Sequence, residues 1–409
     1  MPRMRIVAPL LLALLAHTFA AQAAPDEERL GKSAGYPLGT PATWFYDERV
    51  RVGSFSHLDD ILAHNTLPKS ATPMALPKAA GAAAIGYRFS DREYSLDDFL
   101  SHQRVTGFLL IKNGEVIAER YQYARRPQDR FVSHSMAKSI VSIAVGFALA
   151  EQKIDSLDDK VGKYVPELKG RAYGESTIRN MLRMASGVKF SEEYSGSDDL
   201  SRFSRLRVTQ GSMAALKAFD TREAAEGTVF HYASSQTVVL TVLMRAVTGM
   251  SLSEYLTPRL WQPMGAEADA TWVRTMDGTE AGAGSFNAIL RDYGRLGILL
   301  ANEGAVGDKQ IIPKEYLREA TDWHRQPDAF RPERATPFFG YGYQFWLFPG
   351  EKRRFALLGV YGQSIFVDPE LKLVMVITAA AKNASVGKES FARERSALWR
   401  GIVTKYGSW

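Results

Sequence analysis

A serine hydroxyl becomes a strong nucleophile only when a neighbouring group takes its proton, and one stretch of this chain supplies both partners. In Phe131-Val-Ser-His-Ser-Met-Ala-Lys-Ser-Ile140, Ser135 and Lys138 stand three residues apart, and the apolar run Val141–Ala150 follows. Side chains at i and i+3 are neighbours on a helix, so the hydroxyl and the amine would face one another at the first turn. A lysine that is stripped of water, or crowded by other cations, gives up its proton and can accept the one from serine. The positive end of the helix would favour the oxyanion that forms after attack.

Ser-x-x-Lys also occurs at Ser186/Lys189 and Ser385/Lys388. Gly187 marks a helix stop beside the first of these, and the second lies in the polar loop Asn383-Ala-Ser-Val-Gly387. Only Ser135 opens a long helix with a buried stripe at Ile140, Val141, Ala144, Val145 and Ala148. A second constellation is Gly227-Thr-Val-Phe-His-Tyr-Ala-Ser-Ser-Gln236, where Tyr232-x-Ser234 sits in a short loop before a helix rich in Val, Leu and Met. A tyrosine beside an ammonium releases its proton more readily than a free phenol, so Tyr232 could act as base toward Ser135 and as acid toward a leaving group. The competing reading is a loop tyrosine that packs its ring and wets its hydroxyl, and the same pattern recurs at Tyr406. His231, beside an aromatic, reads as structural rather than as a base. Gly31-Lys-Ser-Ala-Gly35 matches another hydrolase pattern, Gly-x-Ser-x-Gly, but no buried strand precedes it and no helix follows, so Ser33 is not expected to react.

The elements that must position these groups follow from the patterning. Residues 1–23 carry Arg3 and Arg5, then the apolar Ile6–Ala20 and Ala21-Gln-Ala23, which reads as a secretory signal cut after Ala23. The apolar run is short for a membrane span, and no later segment is longer. The mature protein is expected in the periplasm or secreted, without stable membrane insertion. Residues 24–85 read as an N-terminal extension, with scattered prolines and one helix around Leu58–Ala63. Residues 86–409 read as one domain, with a mixed α/β part at 86–150 and 271–409 and a helical insertion at 151–270. Phe108–Lys112, Asn113-Gly114 and Glu115–Tyr123 form a hairpin pattern. Late strands are expected at Gly340–Trp346, Phe355–Gly359, Ser364–Val367 and Leu373–Thr378, with a closing helix around Phe391–Lys405. Early strands, a helical middle and late strands predict a single antiparallel sheet interrupted by helices.

Composition narrows the chemistry. The 409 residues contain no cysteine, which excludes disulfides, thiol catalysis and thiolate-ligated zinc. An exported chain of this length that is 45% hydrophobic can rely on a large core instead. Seven histidines show no metal-ligand spacing, so neither a metal nor a cofactor is expected. Without Arg3 and Arg5 there remain 49 basic and 45 acidic side chains, a net charge of +4 with no basic run, which gives no support to nucleic-acid binding.

Ser135-x-x-Lys138, Tyr232-x-Ser234, the Thr177–Gly187 segment and the late glycine-containing strand together resemble the serine β-lactamase/penicillin-binding-protein superfamily, on its class C and esterase side. Within it the chain is most similar to the 6-aminohexanoate-dimer hydrolase branch, through Phe55-Ser-His-Leu58, Ser191-Glu-Glu-Tyr194, Gly359-Val-Tyr-Gly-Gln363 and Phe366-Val-Asp-Pro-Glu370. The likeness covers residues 41–405. It implies a β-lactamase/transpeptidase-like fold, an antiparallel sheet flanked by helices with a helical insertion domain. It also implies that Ser135 is acylated, with Lys138 and Tyr232 as proton shuttles and the amides of Ser135 and Val360 as the oxyanion hole. Tyr194 would contact the substrate amide, and Ser234, Gly359 and Tyr361 would line the substrate site.

The sequence departs from class C β-lactamases where those carry Lys-Thr-Gly: Leu358-Gly-Val-Tyr-Gly-Gln363 has no lysine for a substrate carboxylate, and only Arg353 and Arg354 stand upstream. The acid that recognises the substrate amine in the 6-aminohexanoate-dimer hydrolase branch has no ungapped match, because Asp198 and Asp199 follow Tyr194 too soon. The leading expectation is an exported serine hydrolase that cleaves small amides or esters through an acyl-enzyme. A D-alanyl-D-alanine carboxypeptidase or class C-type β-lactamase is the alternative, and a non-catalytic binding protein on the same fold is a further one.

Overall fold

The computed structural model describes residues 24–409 except 82, 83, 386 and 388; the expected signal segment 1–23 lies outside the described residues. The larger sheet has seven antiparallel strands and joins an early to a late segment of the chain. Its order is Gly340–Tyr341, Trp346–Leu347, Phe355–Leu358, Ser364–Asp368, Leu373–Ala379, Val105–Lys112, Glu115–Tyr121. The last two strands form the predicted hairpin, turning through Asn113 (φ 53°) and Gly114 (φ 81°), the left-handed pair that a two-residue type I′ turn requires.

Alternation along these strands separates two cores. Phe108, Leu110, Phe366, Met375 and Ile377 pack with the closing helix Phe391–Tyr406, through its Leu398, Trp399, Ile402 and Val403. Leu109, Ile111, Ile365, Val367, Val374 and Val376 face the other way, into the core that holds helices Ala137–Ala150, Ser234–Thr248 and Leu290–Ala301. Helix Ala137–Ala150 is buried on every side from Ala137 to Ala148, not only along its predicted stripe. Its two serines are satisfied inside the core, Ser139 Oγ by the Gln344 carbonyl (2.6 Å) and Ser142 Oγ by the Tyr316 hydroxyl (2.9 Å).

The structure departs from the expectations in three places. The predicted single sheet is accompanied by a second, four-stranded antiparallel one, ordered His64–Leu67, Ala270–Val273, Phe286–Ile289, Arg130–Val132. The extension therefore contributes an edge strand whose partner lies some two hundred residues away, in the register His64↔Val273 to Leu67↔Ala270. The extension's helix lies at Glu48–Ser56, started by the Asp47 carboxylate accepting from the Arg49 amide, and only a 3₁₀ turn occupies Leu58–Asp60. The expected strand Gly340–Trp346 is broken in two at Gln344 (φ 63°), whose side chain is buried on Thr237 Oγ1 and the carbonyls of Met181 and Leu182.

Candidate active site

Strand Arg130–Val132 runs from the four-stranded sheet straight into the turn His134–Met136 and then helix Ala137–Ala150. The turn is fixed by Ser133, whose amide donates to the Phe286 carbonyl (2.7 Å) and whose hydroxyl donates to the His134 carbonyl (2.9 Å). Ser135 stays partly exposed at the head of a helix that is otherwise buried.

The Lys138 ammonium group is almost completely buried and lies 3.0 Å from Ser135 Oγ, 3.0 Å from Ser234 Oγ and 2.7 Å from the Ala283 carbonyl. Burial lowers its pKa to about 8, against an opposing upward pull from Glu192. In the free-amine state two N–H groups can donate to Ala283 O and Ser234 Oγ, and the lone pair then points at the Ser135 hydroxyl. Ser234 Oγ can accept from Lys138 because its own proton goes to Glu192 Oε1 (2.8 Å). Glu192 also accepts from the Ser234 amide (2.6 Å) and the Tyr194 hydroxyl (2.8 Å), so one carboxylate ties the Tyr232–Ser234 loop to the Ser191–Tyr194 loop.

Tyr232 reaches the same point from its loop. Lys138 Nζ lies 5.1 Å from the centre of its ring, and the Ser135 side chain neighbours its hydroxyl. Burial and the nearby Glu192 push the phenol's pKa well above its ordinary value, and the Ser135 interaction offsets only part of that rise. The expected lowering by the neighbouring ammonium is therefore not what this environment produces: desolvation and a carboxylate both penalise phenolate. Lys138 is the group poised to accept a proton, and Tyr232 is a neutral phenol poised to donate one.

Gly359 is extended, and a Cβ there would lie 2.4 Å from the Ser133 carbonyl, so this glycine lets the strand end close against the serine turn. Among the described residues, neither the Ser135 amide nor the Val360 amide donates to a loop, cap or side-chain acceptor. Ser234 is buried inside the proton network, between Lys138 and Glu192. Tyr361, expected at the substrate, instead turns its ring into the protein through a left-handed backbone (φ 58°) and is only 4% exposed. Tyr194 is left-handed too (φ 59°) and is held by the Asp198 carboxylate, which accepts the amides of Glu193 and Tyr194 and caps helix Asp199–Gln210. Asp198 is thus committed to the loop.

His231 Nε2 bonds to the Phe190 carbonyl (2.6 Å), as its structural reading expects. Ser186 is buried with its amide on Gln236, Ser33 contacts Glu28, and Tyr406 sits at the end of the closing helix. Arg353 pairs with Glu303 and Thr321, while Arg354 is buried against Asp368 (2.5 Å), so both guanidinium groups already have partners. Among the described residues no cluster of three His, Asp or Glu side chains could hold a metal ion.

Two features went unread in the sequence. Glu192 was visible only as part of a motif, and its link to Ser234 spans 42 residues. An aromatic wall stands beside Tyr232: Trp346 stacks on it (5.5 Å, 26°), Tyr341 meets it edge-on (6.2 Å), and Phe230 packs on both. The dense aromatic run Phe338–Phe348 was the available signal.

Residues 96–397 match the beta-lactamase family, and the chain belongs to it. It is a hydrolase of the serine β-lactamase/penicillin-binding-protein fold. It is 26% identical over 357 residues to the 6-aminohexanoate-dimer hydrolase of Paenarthrobacter ureafaciens, an alignment covering 85% of this chain and 88% of that protein. Among solved structures it resembles a Bacillus anthracis protein assigned as a 6-aminohexanoate-dimer hydrolase (TM-score 0.78, 24% identity, 88% of this chain and 95% of that one). It also resembles a D-stereospecific amidohydrolase from Streptomyces (TM-score 0.53, 17% identity, 71% and 94%).

Proposed function

We propose that this protein is an exported serine hydrolase that cleaves small, neutral amides or esters through an acyl-enzyme on Ser135. The observation that carries the reading is the buried Lys138 amine, 3.0 Å from Ser135 Oγ and with its pKa brought down to about 8. As the free amine it takes the hydroxyl proton while Ser135 Oγ bonds to the substrate carbonyl carbon, and the carbonyl oxygen becomes an oxyanion facing the Ser135 and Val360 amides. The bond to the leaving group then breaks, with a proton delivered by the neutral Tyr232 phenol, which Lys138 reprotonates. Water attacks the acyl carbon by the same route in reverse and frees the acid.

Substrate neutrality follows from charge. Arg353 and Arg354 are engaged elsewhere, Glu192 stands beside the reacting groups, and the Tyr232/Trp346/Phe230 wall offers apolar faces. A carboxylate-bearing β-lactam would leave its charge unpaired against such a surface. The name of the Paenarthrobacter relative, a hydrolase of an amide dimer, favours an amide. Export rests on residues 1–23, whose two arginines, apolar run and Ala-Gln-Ala end have the form of a signal peptide.

The test is turnover of a short p-nitrophenyl ester, a chromogenic cephalosporin and a D-Ala-D-Ala peptide by wild type and Ser135→Ala. The expected result is ester hydrolysis that Ser135→Ala abolishes, with the other two left intact. Cephalosporin or peptide turnover would move the assignment to a β-lactamase or carboxypeptidase, and the absence of Ser135-dependent turnover would leave a binding protein.

A further inference from the structure

The two amides offered as oxyanion donors are each flanked by a residue in the left-handed backbone region. His134 precedes Ser135 with φ 43°, and Tyr361 follows Val360 with φ 58°. Bulky residues such as these seldom hold such angles unless their surroundings over-determine them. Here the surroundings come from the N-terminal extension. Phe55 meets the His134 ring at 4.6 Å and the Tyr361 ring at 5.3 Å, and Phe45 meets the same two rings at 5.7 and 5.2 Å. Trp44 stacks flat on His134 (6.1 Å, 9°). Arg51, from the same segment, lies 4.3 Å from the centre of the Tyr361 ring. Its guanidinium donates to the Ala381 carbonyl (2.8 Å), while the Ala381 amide donates to the Tyr361 carbonyl (3.1 Å).

We propose that the N-terminal extension is a working part of the catalytic centre: Phe45 and Phe55 clamp His134 against Tyr361 and so set the spacing and direction of the Ser135 and Val360 amides. These are positioning residues, since none touches the reacting atoms, and the proposal rests on the assignment of Ser135 as nucleophile given above. The His134 ring suits this packing role. Its Nε2 is buried without a hydrogen-bond partner, and burial with two nearby cations holds the imidazole neutral, its pKa down near 3. An oxyanion donor acts in the transition state rather than in the ground state, so a loosened clamp should show in kcat and not in KM.

The test compares wild type, Phe55→Ala, Phe55→Leu and Phe45→Ala in hydrolysis of p-nitrophenyl butyrate. Inhibition by phenylboronic acid, whose tetrahedral adduct with the serine puts an anionic oxygen in the same place, is measured alongside. Loss of one oxyanion donor costs roughly 10²–10³ in rate, so a misplaced pair should lower kcat by about tenfold to a hundredfold. KM should stay within about threefold, boronate affinity should fall by the same factor as kcat/KM, and Phe55→Leu should recover most of both. Phe45 is only partly buried, so its variant keeps the test available if Phe55→Ala does not fold. Folded variants with wild-type kcat and boronate affinity would overturn the proposal alone. Wild-type turnover unaffected by Ser135→Ala would overturn the underlying assignment and the proposal with it.

Discussion

At the residue scale the chemistry turns on which group holds a proton at working pH. Lys138 accepts one only as the free amine, so the acylation rate should rise with pH through a midpoint near 8 and level off above it. Glu192 pulls that pKa upward, so Glu192→Gln should shift the midpoint to lower pH; a stationary or upward shift in stopped-flow acylation would contradict the assignment. Lys138→Ala should slow acylation by about 10²–10⁴-fold. His134 adds no limb to this profile, being held neutral far below its usual range. Ser135 and Lys138 were legible in the sequence because helix geometry converts a spacing of three into a contact. The direction of the Tyr232 shift was not, because it depends on how much water the fold removes and on Glu192, which arrives from another loop.

At the scale of elements the site is a meeting of strand ends. The serine turn follows Arg130–Val132, and Gly359 follows Phe355–Leu358 and closes onto the Ser133 carbonyl. Gly359→Ala would place a methyl 2.4 Å from that oxygen and 3.1 Å from His134 Cβ, forcing the two ends apart. We expect a loss of about 1–3 kcal/mol in denaturant unfolding, together with a fall in kcat larger than any change in KM. Unchanged stability and turnover would show that the approach is not required. Hairpin Val105–Tyr121 was legible from Asn113-Gly114, whose turn preference is local. Strand His64–Leu67 was not, since His-Asn-Thr-Leu has little apolar alternation and its pairing to Ala270–Val273 exists only in the folded molecule. The inward turn of Tyr361 was hidden for a related reason: a single positive φ reverses the face a residue presents, and no neighbouring residue type announces it.

Across the whole molecule, early and late segments share one sheet through Val105–Lys112 and Leu373–Ala379, while the extension lends the second sheet an edge and the serine turn its aromatic packing. Groups from residues 133–138, 192–194, 232–234, 283 and 359–361 thereby converge with no metal-binding cluster among the described residues. The wide spacing of these groups explains why the sequence reached the fold class and the grouping of Ser135, Lys138 and Tyr232, yet not the carboxylate and the aromatic wall around them. The most direct measurement is peptide mapping by mass spectrometry after the protein is quenched during turnover of a p-nitrophenyl ester. An acyl mass is expected on the peptide containing Ser135, absent in Ser135→Ala and slow to appear in Lys138→Ala. An adduct on any other residue, or one that survives Ser135→Ala, would contradict it.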